Sequence, residues 1–183
     1  MHWKTSESHP LRIAKVNLSA EQLLGLCFCP GKTQRNALSG PWRRDLNADL
    51  TRIHREGYDV VVTLIEEHEF HELDVLEFFD GAVEGVGMQW AWAPIPDVQP
   101  PNQSVTESLN HVLDLTEAGQ SIFVHCKGGL GRAGTIAAWL LTHFGRSSEE
   151  AVDEVRSVRP GALETRQQVE WVRHHAGQRL RKM

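Results

Sequence analysis

Apolar residues in this 183-residue chain follow two rhythms: short, nearly unbroken runs, and longer stretches spaced by three or four. Asp59–Ile65 and Ser121–Val124 are of the first kind, β-branched and almost wholly apolar, as strands buried on both faces should be. Ile13–Leu18 reads as a first strand. Leu23 onward reads as another, closed by the turn Pro30-Gly31. Met88–Ile95 alternates weakly and reads as a strand leading into the proline-rich loop 94–102. Helical spacing marks Arg43–Glu56 (Leu46, Leu50, Ile53), stopped by Gly57, and also Leu73–Val83. A further helix is expected from Ser104, capped with Glu107 three residues on, its stripe Val105, Leu109, Val112 and Leu113 ending at Gly119. Ala133–Phe144 is nearly all apolar and so should be a central helix. Ser148–Arg159, with Ser148 as cap, and Thr165–Leu180 complete the pattern. Residues 1–10 carry no such rhythm and read as a flexible tail, with 11–183 as a single domain.

Strands alternating with helices predict an α/β fold, a central mostly parallel sheet flanked by helices. In such sheets ligands bind beyond the carboxyl ends of the strands. The segments 125–131 and 94–102 both leave strands, so both can line one crevice.

Composition changes this picture little. With 40% hydrophobic and 23% charged residues and a net charge of −5, the chain has no general footprint for nucleic acid or an anionic membrane. No apolar run reaches transmembrane length, and the polar start, Met1–Pro10, lacks a secretory core. Three cysteines, at 27, 29 and 126, are too few for a disulfide framework and point to a reducing cytoplasm. Ten histidines are scattered; His68-Glu-Phe-His71 is one residue short of the HExxH zinc pattern, and no metal site is expected.

The chemistry concentrates in "HCKGGLGRA", His125–Ala133, between a buried strand and a helix. Glycines at 128, 129 and 131 let the backbone curl, so that successive N–H groups form an anion nest. The helix N-terminus adds its positive end, and Arg132 can engage two anion oxygens. The same field favours a thiolate at Cys126. Gly129-x-Gly131-x-x-Gly134 also fits a dinucleotide fingerprint, but such a turn needs neither the inner arginine nor the His-Cys pair upstream. The run lacks the Gly-Lys-Ser/Thr ending of a nucleoside-triphosphate loop.

His125-Cys-Lys-Gly-Gly-Leu-Gly-Arg132 resembles the HCxxGxxR motif of the cysteine-dependent protein tyrosine and dual-specificity phosphatases. Segments over roughly residues 12–175 resemble the kinase-associated group among them: Leu24–Lys32, Val61–Glu69, Pro94–Asp97, Val155–Ala162 and Thr165–Gln168. The resemblance implies a phosphatase-like α/β domain, no cofactor, and a phosphorylated protein as substrate, phosphotyrosine first and phosphoserine or phosphothreonine beside it. It implies Cys126 as nucleophile, Arg132 as phosphate clamp and Asp97 as general acid. Lys127, Gly128, Gly129, Leu130 and Gly131 would surround the phosphate. His125 would support the thiolate, Gln168 would orient water, and Glu69 would hold Arg132, with Glu66 and Glu67 close by. Family members usually carry Ser or Thr where Ala133 stands. The cysteinyl-phosphate should therefore break down slowly, unless Thr135 compensates. A reversible disulfide between Cys126 and Cys27 or Cys29 is a further option. Phosphoinositide or RNA 5′-phosphate hydrolysis by the same chemistry, and a phospho-binding module without turnover, remain alternatives. Oligomeric state is not legible.

Overall fold

A computed structural model describes residues 2–75 and 79–181. Five strands form the main sheet: β1 (Ala14–Asn17), β2 (Leu23–Phe28), β5 (Val60–Thr63), β6 (Gln89–Trp92) and β7 (Ile122–Cys126). Their spatial order is β1-β2-β7-β5-β6, with only β1 antiparallel. Every residue of β5 and β7 is buried, as continuous apolar strands require when helices cover both faces. The in-register partners of β7 place Phe28 beside Cys126 and Thr63 beside His125. The carboxyl ends of three adjacent strands therefore meet at one point.

The helices are α1 (Leu46–Arg55), α2 (Glu67–Glu72), α3 (Phe79–Gly85), α4 (Thr106–Glu117), α5 (Gly131–His143), α6 (Ser148–Val158) and α7 (Arg166–His175). All of α5 except its last residue is buried; it lies over β7 and β2, with α6 and α7 packed against it. On the outside of that layer α6 and α7 show apolar stripes facing inward, Ala151, Val152 and Val155 on one and Val172 on the other.

The differences from expectation have local causes. Trp42–Arg43 form β4, which pairs with β3 (Thr33–Gln34), so α1 begins at Leu46 behind an Asp45 cap rather than at Arg43. The helix expected over Leu73–Val83 is helical only from Phe79; Leu73 instead ends α2, Asp74 turns the chain at φ 54°, and 76–78 lie outside the described residues. Ser104 is not a cap: Asn102 accepts its N–H at 2.9 Å and opens a 3-10 turn, Gln103–Val105, before α4. Ser147 rather than Ser148 caps α6, accepting from the Glu150 N–H at 3.2 Å. The last helix stops at His175, short of Leu180.

The described part of the expected tail, residues 2–10, is tied to the body of the domain through Lys4 and His9. The Lys4 N–H donates to the Pro41 carbonyl at 2.9 Å, and the Arg43 N–H donates to the Lys4 carbonyl at 3.0 Å. The Arg44 guanidinium also donates to the His9 carbonyl at 2.7 Å. This segment satisfies the open edge of β4, which a two-residue strand leaves unpaired. Among the described residues no helix is long and apolar enough to cross a membrane.

Candidate active site

The loop 127–130 joins the end of β7 to the start of α5. Gly129 has φ 70°, and a Cβ there would lie 2.2 Å from the Cys27 carbonyl carbon, so the loop presses directly on the β2 backbone. No other residue fits that position. The Gly129 N–H donates to Cys126 Sγ at 3.2 Å. From outside, Arg159 donates Nε and Nη2 to the carbonyls of Gly129 and Gly128, both at 3.0 Å. Carbonyls held outward leave the amides of the curl facing in, as an anion nest demands.

Arg132, in the first turn of α5, is 1% exposed. Its Nη1 and Nη2 meet the two oxygens of Glu69 at 2.5 and 2.8 Å, and Nη1 also donates to the Ile95 carbonyl at 3.0 Å. Of the three neighbouring glutamates, Glu69 is thus the one on the arginine. Its Oε2 also accepts the Glu66 N–H at 3.0 Å, closing the first turn of α2. Burial alone would raise the Glu69 carboxyl; hydrogen bonds from Arg132 and from the Glu66 N–H outweigh it and hold the group below its ordinary value. Among the described residues the buried Arg132 Nε has no partner. A buried guanidinium fixed along one edge with a donor unspent has the chemistry to receive an anion.

Asp97 lies on the loop after β6 with its side chain 61% exposed, and its Oδ1 sits 2.9 Å from Arg132 Nη2. The next residue, Val98, has φ 58°, a costly conformation for a β-branched residue. Hydrogen bonds from Thr165 Oγ1 to the Val98 carbonyl and from Gln168 Nε2 to the Gln99 carbonyl, both 3.4 Å, hold the loop there.

Gln168 is fully buried, and its Oε1 accepts the Thr165 N–H at 3.1 Å, closing a capping box on α7. Its amide lies beside Gly131, where a Cβ would come within 2.8 Å of it. Lys127 is paired with Glu72 at the rim. Gly128 and Leu130 line the cavity mouth.

His125 is fully buried, with its ring against Phe79. Trp90 Nε1 donates to Thr63 Oγ1 at 2.9 Å, and that hydroxyl lies 2.8 Å from His125 Nε2. Indole can only donate, so the arrangement that satisfies the hydroxyl has it donating to Nε2. Burial pushes the His125 pKa down to about 3. The ring beside Cys126 in sequence is therefore neutral at ordinary pH, and any support it gives the thiolate is by position rather than charge.

The three cysteines are free and buried. Burial raises the Cys27 thiol to about 11 and raises Cys29 as well, so neither is poised as a thiolate for exchange with Cys126. The Thr135 hydroxyl donates to the Gly131 carbonyl at 2.8 Å and is not available to the sulfur in place of the hydroxyl Ala133 lacks.

Three further residues reach the cavity to which the sequence motifs gave no role. Arg159 and Lys32 line the same cavity as Cys126, and so does Glu164, whose Oε2 accepts the Gly131 N–H at 2.8 Å. Lys32 and Arg159 lie in the segments Leu24–Lys32 and Val155–Ala162 that carry the resemblance, and Glu164 directly precedes the Thr165-x-x-Gln168 box. The cavity holds about 840 Å³ and is lined by Cys126 and Asp97 together with Phe28, Lys32 and Trp42. No group of three or more His, Cys, Asp or Glu side chains able to hold a metal occurs among the described residues.

Comparison with known proteins identifies the family. Cyclin-dependent kinase inhibitor 3 of Rattus norvegicus is 28% identical over 173 residues, covering 91% of this chain and 79% of that protein. The Homo sapiens protein is 27% identical over the same length. A crystal structure of kinase associated phosphatase, with serine in place of its catalytic-site cysteine, superposes with a TM-score of 0.76 at 26% identity, covering 90% of this chain and 93% of that one. The active form of Tk-PTP gives 0.64 at 29% identity, covering 91% and 98%. The model of the PTP-SAK family matches residues 36–182. With the phosphatase-type loop, the fold and that match together, the chain belongs to the PTP-SAK family, the Swiss Army Knife proteins with a DSP-PTPase phosphatase domain.

Proposed function

We propose that this phosphatase hydrolyses phosphotyrosine, and phosphoserine or phosphothreonine beside it, on protein substrates through a cysteinyl-phosphate on Cys126. The observation that supports this best is the buried Arg132, held edge-on by Glu69 with Nε unspent, at the head of the loop that turns the Gly129 N–H onto Cys126 Sγ. The phosphoryl oxygens bind the loop amides and the arginine. The Cys126 thiolate then attacks phosphorus in line; the S–P bond forms as the bond to the leaving oxygen breaks. Asp97 gives that oxygen its proton. In the second step the Asp97 carboxylate takes a proton from water, the water oxygen attacks phosphorus, and sulfur departs as thiolate with inorganic phosphate released. Negative charge on the equatorial oxygens is met throughout by fixed donors. These steps use side chains alone. With alanine at 133 and the Thr135 hydroxyl given to Gly131, neither position offers the departing sulfur a hydroxyl beside the Gly129 N–H, so the second step limits turnover.

The test is hydrolysis of para-nitrophenyl phosphate by wild type, Cys126→Ser and Asp97→Ala, each with and without chelator. The expected result is no turnover in Cys126→Ser and a loss of about 10²–10⁴ in Asp97→Ala, with chelator without effect. Full activity in Cys126→Ser would overturn the mechanism, and activity lost to chelator would overturn its metal-free form. Binding of phosphopeptide with no turnover in wild type would favour the phospho-binding reading, for which Ala133 is the supporting feature.

A further inference from the structure

Lys32 follows the Pro30-Gly31 turn at the end of β2, the strand that places Phe28 beside Cys126. It is a basic residue only 5% exposed, and it lines the same cavity as Cys126. Among the described residues no carboxylate pairs with it. Among the described residues its ammonium donates one hydrogen bond, to the neutral Gln34 Oε1 at 3.3 Å, and its Nζ stands over the rings of Phe28 and Trp42, 4.6 and 5.6 Å from their centroids. The carboxylate of this region, Asp49, is spent: it takes Arg44 at 2.7 and 2.8 Å and the Gly31 N–H at 2.9 Å. Two other basic side chains of the cavity are committed, Lys127 to Glu72 and Arg159 to the loop carbonyls. Burial accordingly pulls the Lys32 pKa below its ordinary value. Sequestering a cation from water without a counter-ion is unfavourable, and ring faces offset only part of that cost. A ligand that brings an anion to this point removes the imbalance. The catalytic loop already has its own arginine and amides for the phosphate being cleaved, so the anion at Lys32 must be a different group. The cavity, at about 840 Å³, has room for more than one phosphorylated side chain. Leu38, fully exposed on its rim, offers apolar contact to a neighbouring residue of a peptide.

We propose that Lys32 is a specificity-determining anion receptor: the cavity takes a phosphorylated peptide bearing a second acid group, a carboxylate or a second phosphate, and seats that group on Lys32 over Phe28 and Trp42. This rests on the phosphatase reading above, which para-nitrophenyl phosphate tests by itself, since that substrate has no second anion. The experiment compares kcat/KM of wild type, Lys32→Met and Lys32→Arg on phosphopeptides that differ only beside the phosphorylated residue: neutral, glutamate-flanked, or doubly phosphorylated. Wild type is expected to favour one or both acidic peptides over the neutral one by about tenfold, the size of a charge-assisted hydrogen bond partly screened by solvent. The glutamate and phosphate arms identify which anion is preferred. Lys32→Met should collapse the ratio, and Lys32→Arg should keep most of it. The wild-type ratio should also shrink as salt is raised, a reading that needs no variant to fold. Overturning results are a wild type without preference, a ratio unmoved by salt, a ratio that survives in Lys32→Met, or an equal loss on all peptides, which would place Lys32 in support of Cys126 instead. A short-chain phosphatidylinositol bisphosphate preferred over every peptide would also overturn it, in favour of a lipid.

Discussion

At position 133 the side chain is a buried methyl, and the nearby Thr135 hydroxyl is bound to the Gly131 carbonyl. Restoring a donor there should act on one step only. Ala133→Ser is expected to raise steady-state turnover about tenfold while leaving the burst of phosphoenzyme formation unchanged; rapid-quench kinetics separates the two, and an unchanged steady state would remove the account of slow breakdown. Glu164 raises an opposite issue. Its carboxylate occupies the N–H of Gly131, the first residue of α5, where the helix end favours an anion. It thereby adds negative charge to the cavity proposed to take the phosphate. Glu164→Ala should strengthen competitive inhibition by inorganic phosphate several-fold and lower thermal stability slightly, by about 0.3–1 kcal/mol for the lost helix-end interaction. Weaker inhibition would mean that Glu164 holds the loop in shape rather than opposing the ligand.

Among the elements, β7 and its histidine couple the site to acid stability. The folded His125 titrates near 3, the unfolded one near its ordinary 6.5. Between those values the unfolded chain binds a proton that the folded chain does not, so stability falls as pH falls through that window, by up to about 1.4 kcal/mol per pH unit from this group. Denaturant melts at pH 7, 6, 5 and 4 should show that slope, and His125→Gln should flatten it even though the variant starts less stable. A slope equal in both would place the acid sensitivity elsewhere. Glu69, depressed below its ordinary value, contributes in a lower range: its stabilisation is intact above the ordinary carboxylate value and is lost as pH drops through its folded value.

The elements also show what the sequence could and could not carry. β5, β7 and α5 were legible because burial on all sides writes itself as an unbroken apolar run. α2 was not, because Glu66–Glu72 is polar but for the single buried Phe70, too little for a stripe, and its first turn closes through Glu69. β3 and β4 are two residues each, too short for any period. In the site, Cys126, the glycines and Arg132 sit within one spacing and could be read together. Choosing Glu69 over its neighbours took the geometry of Arg132, and Arg159, Glu164 and Lys32 reach the cavity from segments distant in sequence.

For the whole molecule, the double use of Glu69 has a consequence for motion. A six-residue helix has no independent stability, and the carboxylate that closes its first turn is the same one that fixes Arg132. Opening of α2 and release of Arg132 are then one local equilibrium, and whatever engages the arginine must also slow that opening. Amide hydrogen exchange across 66–72 should slow in inorganic phosphate, while α6, on the far side of α5, is unaffected; protection confined to the loop 126–132 would uncouple the two. If they are coupled, the site's readiness is set by how often a short polar helix breathes, and occupancy of the catalytic loop can be read at a distance as a change in protection.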